Sequence, residues 1–402
     1  VGGRAPLAWA TRIALSIGVA VVGYFGVTSS LANVVQKSDP ELAYTLDPSN
    51  GVIAAAYAQH IFTLRPTTDR HALPSRLAKQ ALRLDPTAVD ALTVLGFQAQ
   101  LLGDAARSDE ILAHSTQLSR RELRPQLWAI EEAVSRGDVQ GALRHYDIAL
   151  RTSNDARAIL FPTLTAALSE PKIRSALLQV MESGPVWREA FIDYAAKSGA
   201  APEDVAQFFQ LGRRVGLPVS ADHRAQLVDL LINQGEFEKA WDYFLTFRGG
   251  DRNRSRDPNF MFDGKIRSAF DWSFGKAPGL SVAILQSPEG GILDFALPPS
   301  VGGVVVRQLQ LLPAGTYRLQ GLSTNIEQPL RSQPYWALLC LDGRELGRVP
   351  ITSSSDANSF SGLLTVPQNC DVQTLELVAR ASDKASGVAG QINKIEMMPN
   401  VY

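Results

Sequence analysis

The sequence predicts a multidomain α + β chain: an N-terminal transmembrane helix, an α-helical solenoid of repeats and a C-terminal antiparallel β-sandwich. Three observations carry this. An uncharged run fills the interval between Arg12 and Lys37. Gly-Asp pairs recur in one frame, at Gly103-Asp104 and Gly137-Asp138. Beyond residue 260 the apolar period changes from helical to two, the period of a strand with one buried face. The segments are 1–36 for the membrane anchor, 37–50 for a polar linker, 51–248 for the helical repeats, 249–260 for a hinge and 261–402 for the sandwich.

The first segment justifies its assignment by length and flanks. Ile13 to Val27 carries no charge, and the run continues through Thr28, Ser29, Ser30 and Asn33. Roughly 20 apolar residues cross a bilayer. Arg4 and Arg12 precede it, which places the N-terminus in the cytoplasm and exports the rest of the chain. The expectation is a single-pass protein of a bacterial inner membrane with its bulk in the periplasm. A cleaved signal peptide is the competing reading; the run is long for one, and no clear A-x-A site follows it directly. Gly18, Gly23 and Gly26 would permit close approach of a second helix in a membrane complex. The linker Lys37 to Asn50 is polar and holds two Asp-Pro steps.

The helical region keeps a 34-residue frame. Counting back from Pro86 gives units at 55–88, 89–122 and 123–156, and a fourth around 221–254. The first ends in Ala78 to Pro86 (AKQALRLDP), the second carries Leu95-Gly96 and Gly103-Asp104, and the third has Gly137-Asp138 and then Ala142, Leu143, Tyr146, Ala149 and Leu150. Those five share one helical face, with small residues where two helices approach. The fourth keeps Leu227, Gly235-Glu236, Ala240 and Phe244. This pattern resembles tetratricopeptide repeats over roughly 55–250. The resemblance implies stacked helical hairpins with a concave groove for a protein partner, lined by Gln98, Gln126 and Glu131. Between the third and fourth units, 157–220 reads as two irregular repeats, with Pro162, Pro171, Pro185, Pro202 and Pro218 falling between helices. Gly249 to Pro258 (GGDRNRSRDP) reads as a solvated hinge whose arginines are diluted by Asp251 and Asp257.

The last region alternates. Strands are expected at Leu280–Gln286, Ile292–Leu297, Val304–Leu312, Thr316–Ser323, Trp336–Leu341, Glu345–Pro350, Ser359–Val366, Thr374–Ala379 and Gln391–Met397. Asp342-Gly343 suits a tight hairpin, and Pro313-Ala314-Gly315 another turn. The only cysteines, Cys340 and Cys370, would form one disulfide in an exported domain; two buried free thiols are the alternative. The run Leu312 to Leu319 (LPAGTYRL) resembles the strand entry of galactose-binding-like jelly rolls that serve as carbohydrate-binding modules. That resemblance implies sugar stacking on an exposed aromatic face, for which the chain offers Tyr335, Phe360, Trp336 and Trp272. Core packing is the competing fate of the two tryptophans.

Charge and motif content narrow the function. With 39 basic against 40 acidic side chains there is no excess to neutralise phosphates, so nucleic acid is not an expected partner. His60, His71, His114, His145 and His223 are scattered without ligand spacing. Asp263, Asp271 and Asp294 lack the spacing of a calcium loop, so no metal or cofactor is expected. No G-x-S-x-G, Walker or G-x-G-x-x-G motif occurs in a fitting context. The expectation is a non-catalytic, membrane-anchored scaffold that binds proteins through the repeats and polysaccharide through the sandwich. The architecture is similar to accessory proteins of exopolysaccharide assembly. A structural subunit of a membrane complex without glycan binding is one alternative; a glycan-active enzyme with two carboxylates in a cleft is the other.

Overall fold

The computed structural model describes residues 5–262, 267–287 and 290–400; Arg4 and Asp263 lie outside them. Two compact units emerge, one made of residues 1–164 and 170–187, the other of 165–169 and 188–402. The helices are α1 (Ala5–Val35), α2 (Pro40–Leu46), α3 (Gly51–Leu64), α4 (Leu73–Leu84), α5 (Val89–Leu101), α6 (Ala105–Leu118), α7 (Leu123–Ser135), α8 (Val139–Thr152), α9 (Ala156–Ala166), α10 (Pro171–Glu182), α11 (Arg188–Lys197), α12 (Pro202–Gly212), α13 (Ala221–Asn233) and α14 (Phe237–Leu245). The strands are β1 (Ser273–Phe274), β2 (Ser281–Ser287), β3 (Gly290–Leu297), β4 (Gly303–Gln310), β5 (Gly315–Thr324), β6 (Tyr335–Cys340), β7 (Glu345–Pro350), β8 (Asn358–Val366), β9 (Gln373–Ala379) and β10 (Val388–Pro399).

In the first unit, Trp9–Val35, 27 residues, is long and apolar enough to cross a membrane, with a mean hydropathy of 1.7 over its most apolar stretch. Ile13, Leu15, Ile17, Val19 and Val21 are exposed around its circumference. Its last turn differs. Ala32 is fully buried with Ala43 and Ile53, and Val35, Tyr44 and Leu46 close over them. The expected linker is therefore corrected: residues 40–46 form α2, because Asp39 accepts from Leu42 N at 2.9 Å and Pro40 occupies the first turn.

The helical hairpins keep the 34-residue phase. Val89 and Leu123 begin first helices, and Ala105 and Val139 begin second helices, each pair 34 residues apart. Their turns are built alike. Gly103 and Gly137 sit at φ 76° and 71°, a region costly to any side chain. The next amide reaches back across the turn, Asp104 N to Ala99 O at 3.0 Å and Asp138 N to Ala133 O at 2.8 Å. Asp138 then caps Gly141 N at 2.7 Å. In the second unit, Gly235 and Glu236 repeat this turn between α13 and α14, with Glu236 N 2.9 Å from Leu231 O. At Gly96 a Cβ would stand 2.6 Å from Leu112, so only glycine lets α5 and α6 close. Leu143, Tyr146 and Leu150 are buried in the interhelical packing. Pro171 and Pro202 open helices, but Pro162 lies inside α9, which corrects its expected place between helices.

In the second unit, α11 to α14 are followed by a sandwich of two antiparallel sheets, ordered β1-β4-β9-β6-β7 and β2-β3-β10-β5-β8. All nine expected strands form, joined by the short β1. Between the sheets pack Phe295, Leu319, Trp336, Leu338, Leu364, Leu375 and Ile395. Tyr317, the aromatic of the LPAGTYRL run, is buried, and its hydroxyl donates to Pro313 O at 2.8 Å, locking the β4–β5 turn. Cys340 and Cys370 are bonded, with Cα atoms 5.7 Å apart.

The expected hinge is a strap. Ser255 N donates to Met397 O at 3.0 Å, and Met397 N returns a bond to Ser255 Oγ at 2.8 Å. Arg256 is buried. Its backbone exchanges hydrogen bonds with the Gln308 amide, and its guanidinium donates to Phe270 O at 3.0 Å, to Gln310 Oε1 at 3.4 Å and to Leu309 O. It also lies 5.0 Å from the Trp241 ring of α14 and 5.3 Å from Phe270. The solvated-hinge reading fails because these partners are neutral and the Gln308 and Gln310 amides are 52 and 54 residues away along the chain. Burial pushes Arg256 down to about 9, with Asp271 opposing, so the group stays charged at neutral pH.

Arg256→Ala leaves several buried carbonyl and amide oxygens unpaired, and should lower unfolding free energy by about 3 kcal/mol in a denaturant titration followed by tryptophan fluorescence. Replacing both cysteines by serine reopens a loop of 30 residues. That loss should cost about 3 kcal/mol in the same titration, and reducing agent should reproduce it in the parent protein.

Candidate binding face and repeat groove

The face of the β1-β4-β9-β6-β7 sheet turned away from the core is set by alternation. Val306, Leu377, Trp336 and Val349 point inward, so Arg307, Glu376, Ala337 and Arg348 point outward. Register sets these four side by side across β4, β9, β6 and β7: Arg307 pairs with Glu376, Glu376 with Ala337, and Ala337 with Arg348. Further along β6, half-buried Tyr335 pairs with Val378 and Pro350. The guanidinium carbons of Arg348 and Arg380 lie 4.8 and 4.7 Å from its ring centroid. Arg348 also grips Glu345 with two bonds of 2.7 Å, which holds that carboxyl below its usual range. Burial pushes Glu376 up, against the charge of Arg307. The face therefore offers fixed donors, one half-buried acid and one aromatic ring.

Three of the four expected stacking aromatics are elsewhere. Trp336 and Trp272 are 0% and 2% exposed and touch each other in the core, with ring centroids 5.7 Å apart. Phe360 is buried against Gly321. All three side chains belong to the core between the sheets, so none can stack on a sugar. Tyr335 alone reaches solvent. Arg307, Glu376, Arg348 and Arg380 escape sequence reading; their signal is a single charge beside apolar neighbours, as in VVRQL, LELV and GRV.

Beside β1 and β4 the same face opens into a cleft of about 450 Å³, walled by Asp229 and Asn233 of α13 and by Arg267, Arg307, Ser273 and Thr374. Asp229 Oδ1 accepts from Ala269 N at 2.9 Å. Burial pushes its carboxyl up, the Ala269 bond opposing. Among the described residues no group of three metal-ligating side chains occurs. Asp271 is engaged by Ser268, and Asp294 by Gln391.

In the repeats, two of the expected groove residues prove structural. Gln98 is buried, and its amide donates to Ser75 Oγ at 2.7 Å and Asp69 O at 3.0 Å, fixing the α3–α4 connection. Gln126 is buried against His145 Nδ1 at 2.9 Å. Burial, chiefly, pushes that histidine down. Glu131 is exposed. A different polar chain links the first helices of three hairpins. Arg124 of α7 donates to Thr63 of α3 at 2.7 Å. With its amide nitrogen turned toward α5, Gln59 donates to Asp90 at 2.6 and 3.2 Å and accepts from Arg124 at 3.1 Å. At Gly18, Gly23 and Gly26 of α1 an added Cβ would meet nothing within 4 Å.

No protein-family model matches the chain, and no curated protein matches it. Solved structures similar to it include carbohydrate-binding modules. A CBM4 module is 11% identical, covers 36% of this chain and 99% of its own, and gives a TM-score of 0.28. The CBM22-1 xylan-binding domain of Paenibacillus barcinonensis Xyn10C is 12% identical, with 38% and 96% covered and a TM-score of 0.26. The enzymatically active domain of bacteriophage CBA120 tailspike protein 4 is 12% identical, with 33% of this chain and only 20% of that one covered and a TM-score of 0.26.

Asp90 yields a pH prediction. Burial, then Glu122, pushes its carboxyl up to about 6, while Arg124 and the two bonds from Gln59 favour the charged form. A folded pKa above the ordinary 3.8 means the folded state holds the proton more tightly. Stability should therefore fall as pH rises from about 4 to about 6, by about 1–2 kcal/mol. Asp90→Asn should flatten that slope in thermal melts taken across the interval.

Proposed function

We propose that this chain is a non-catalytic, membrane-anchored scaffold of the bacterial periplasm. In this reading α1 holds it in the inner membrane, tetratricopeptide-like hairpins engage protein partners, and the outer face around β6 binds glycan during exopolysaccharide assembly. The observation that carries the reading is the last turn of α1. Ala32 is buried with Ala43 and Ile53, so the end of the apolar helix packs against α2 and the start of α3. Removing the helix would expose Ile53 and strip the cover from Tyr44. That favours a retained anchor over a discarded leader. The twofold guanidinium cover on Tyr335 favours a second reading, a structural subunit that binds no glycan.

Native membranes test the anchor directly. The chain should stay in the pellet after alkaline carbonate, and its intact mass should include the residues before Ala32. A soluble product cut within α1 would overturn the anchor. From mild detergent it should copurify with a polysaccharide synthase, polymerase or exporter; recovery without any partner would count against the scaffold.

A further inference from the structure

The charges around the α13 cleft point to one class of glycan. Arg307 and Arg267 both line it; Glu376 acts on Arg307, and Asp271 and Asp257 act on Arg267, but none of these described carboxylates makes a direct ion pair with them. Arg267 lies over the Phe274 ring at 4.6 Å, which fixes one face of its guanidinium and leaves its edge to the cleft. A planar guanidinium matches a carboxylate with two parallel hydrogen bonds, and two of them clasp it from both sides. Around them stand the groups a polyol needs: the hydroxyls of Ser273 and Thr374, the Asn233 amide and the Asp229 carboxyl. Leu309 adds an apolar floor. The volume, about 450 Å³, lies within the roughly 300–1,000 Å³ of small-ligand clefts.

We infer that this cleft binds a uronic-acid residue of an acidic polysaccharide, its carboxylate held by Arg307 and Arg267 and its ring hydroxyls by Ser273, Thr374 and Asp229. The inference rests on the glycan reading of the same face and specifies its substrate class. Asp229 stands at the wall. Its like charge weakens any anion bound between the two guanidinium groups, and shape and hydroxyl partners, not charge, would have to set a uronate apart from phosphate.

Titration calorimetry on the full chain in lipid nanodiscs tests this, with a panel of oligouronates of differing stereochemistry, their carboxyl-reduced counterparts and inorganic phosphate. At least one oligouronate should bind, and its carboxyl-reduced form should bind about tenfold more weakly. Arg307→Gln, an exposed change that leaves the core intact, should weaken the acidic ligand about tenfold and the neutral one little. Asp229→Asn keeps an oxygen for Ala269 N and removes a charge, so it should tighten the acidic ligand severalfold. Opposite effects from the two variants separate charge recognition from loss of structure. Equal binding of acidic and reduced forms would overturn the inference and leave the glycan reading standing. Binding of no saccharide in the panel would remove both. Competition by phosphate at equal concentration would make the cleft a general anion site and overturn the assignment.

Discussion

The Arg256 guanidinium is the constraint on which the larger unit depends. It reaches the loop before β1 through Phe270 O, β4 through Leu309 O and Gln310, and α14 through the Trp241 ring. Stripping water from a guanidinium is costly, and no carboxylate pairs with it among the described residues. The cost is offset only if its donors find acceptors of fixed position. That demand ties three segments to one point. Phe270 packs on Trp241 and Phe244, each with ring centroids 5.3 Å apart. The strap thereby sets α13 against the 269 loop, where Asp229 meets Ala269 N. The cleft is a consequence of that arrangement.

In the repeats the equivalent constraint is local. A glycine in the left-handed region with a backward amide bond sets the angle between paired helices, and it occurs at Gly103, Gly137 and Gly235. Because each turn needs only neighbouring residues, its sequence signature is short and periodic. That is why the 34-residue phase is legible. Polar side chains then secure the stacking between hairpins, Gln98 of α5 on the α3–α4 connection and Arg124 of α7 on Thr63 of α3.

Most of the fold can be read from the chain, and the losses share a cause. Nine strands come from alternation, and the disulfide from two cysteines in one β-region. Adjacent Tyr335 and Trp336 must point to opposite faces, so only one could ever be exposed. Which one depends on Trp336 sharing its side with Leu338 and Cys340, all buried. Asp39-Pro40 is a capping signature that the polar composition of 37–50 conceals. Arg256 looks solvated in the sequence because composition registers charge and not the distant amides that satisfy it. Gln98 and Gln126 look like groove residues because a buried, satisfied amide has the same letter as an exposed one.

The binding face is the least legible part for a topological reason. Arg307, Glu376, Ala337 and Arg348 form one row only because β9 lies between β4 and β6. No local pattern encodes that order. Once it exists, the chemistry is set by side-chain length. Ala337, nearly fully buried between long charged neighbours, makes the low floor of a trough whose ends carry guanidinium groups. Strands about 4.8 Å apart put those ends about 14 Å from each other, the reach of more than one sugar residue. The register thus sets Arg307 beside half-buried Glu376 at one end of the row and Arg348, gripped by Glu345, at the other. In the proposed reading, that spacing is what an extended ligand carrying hydroxyls along its length and an acid at one end would use.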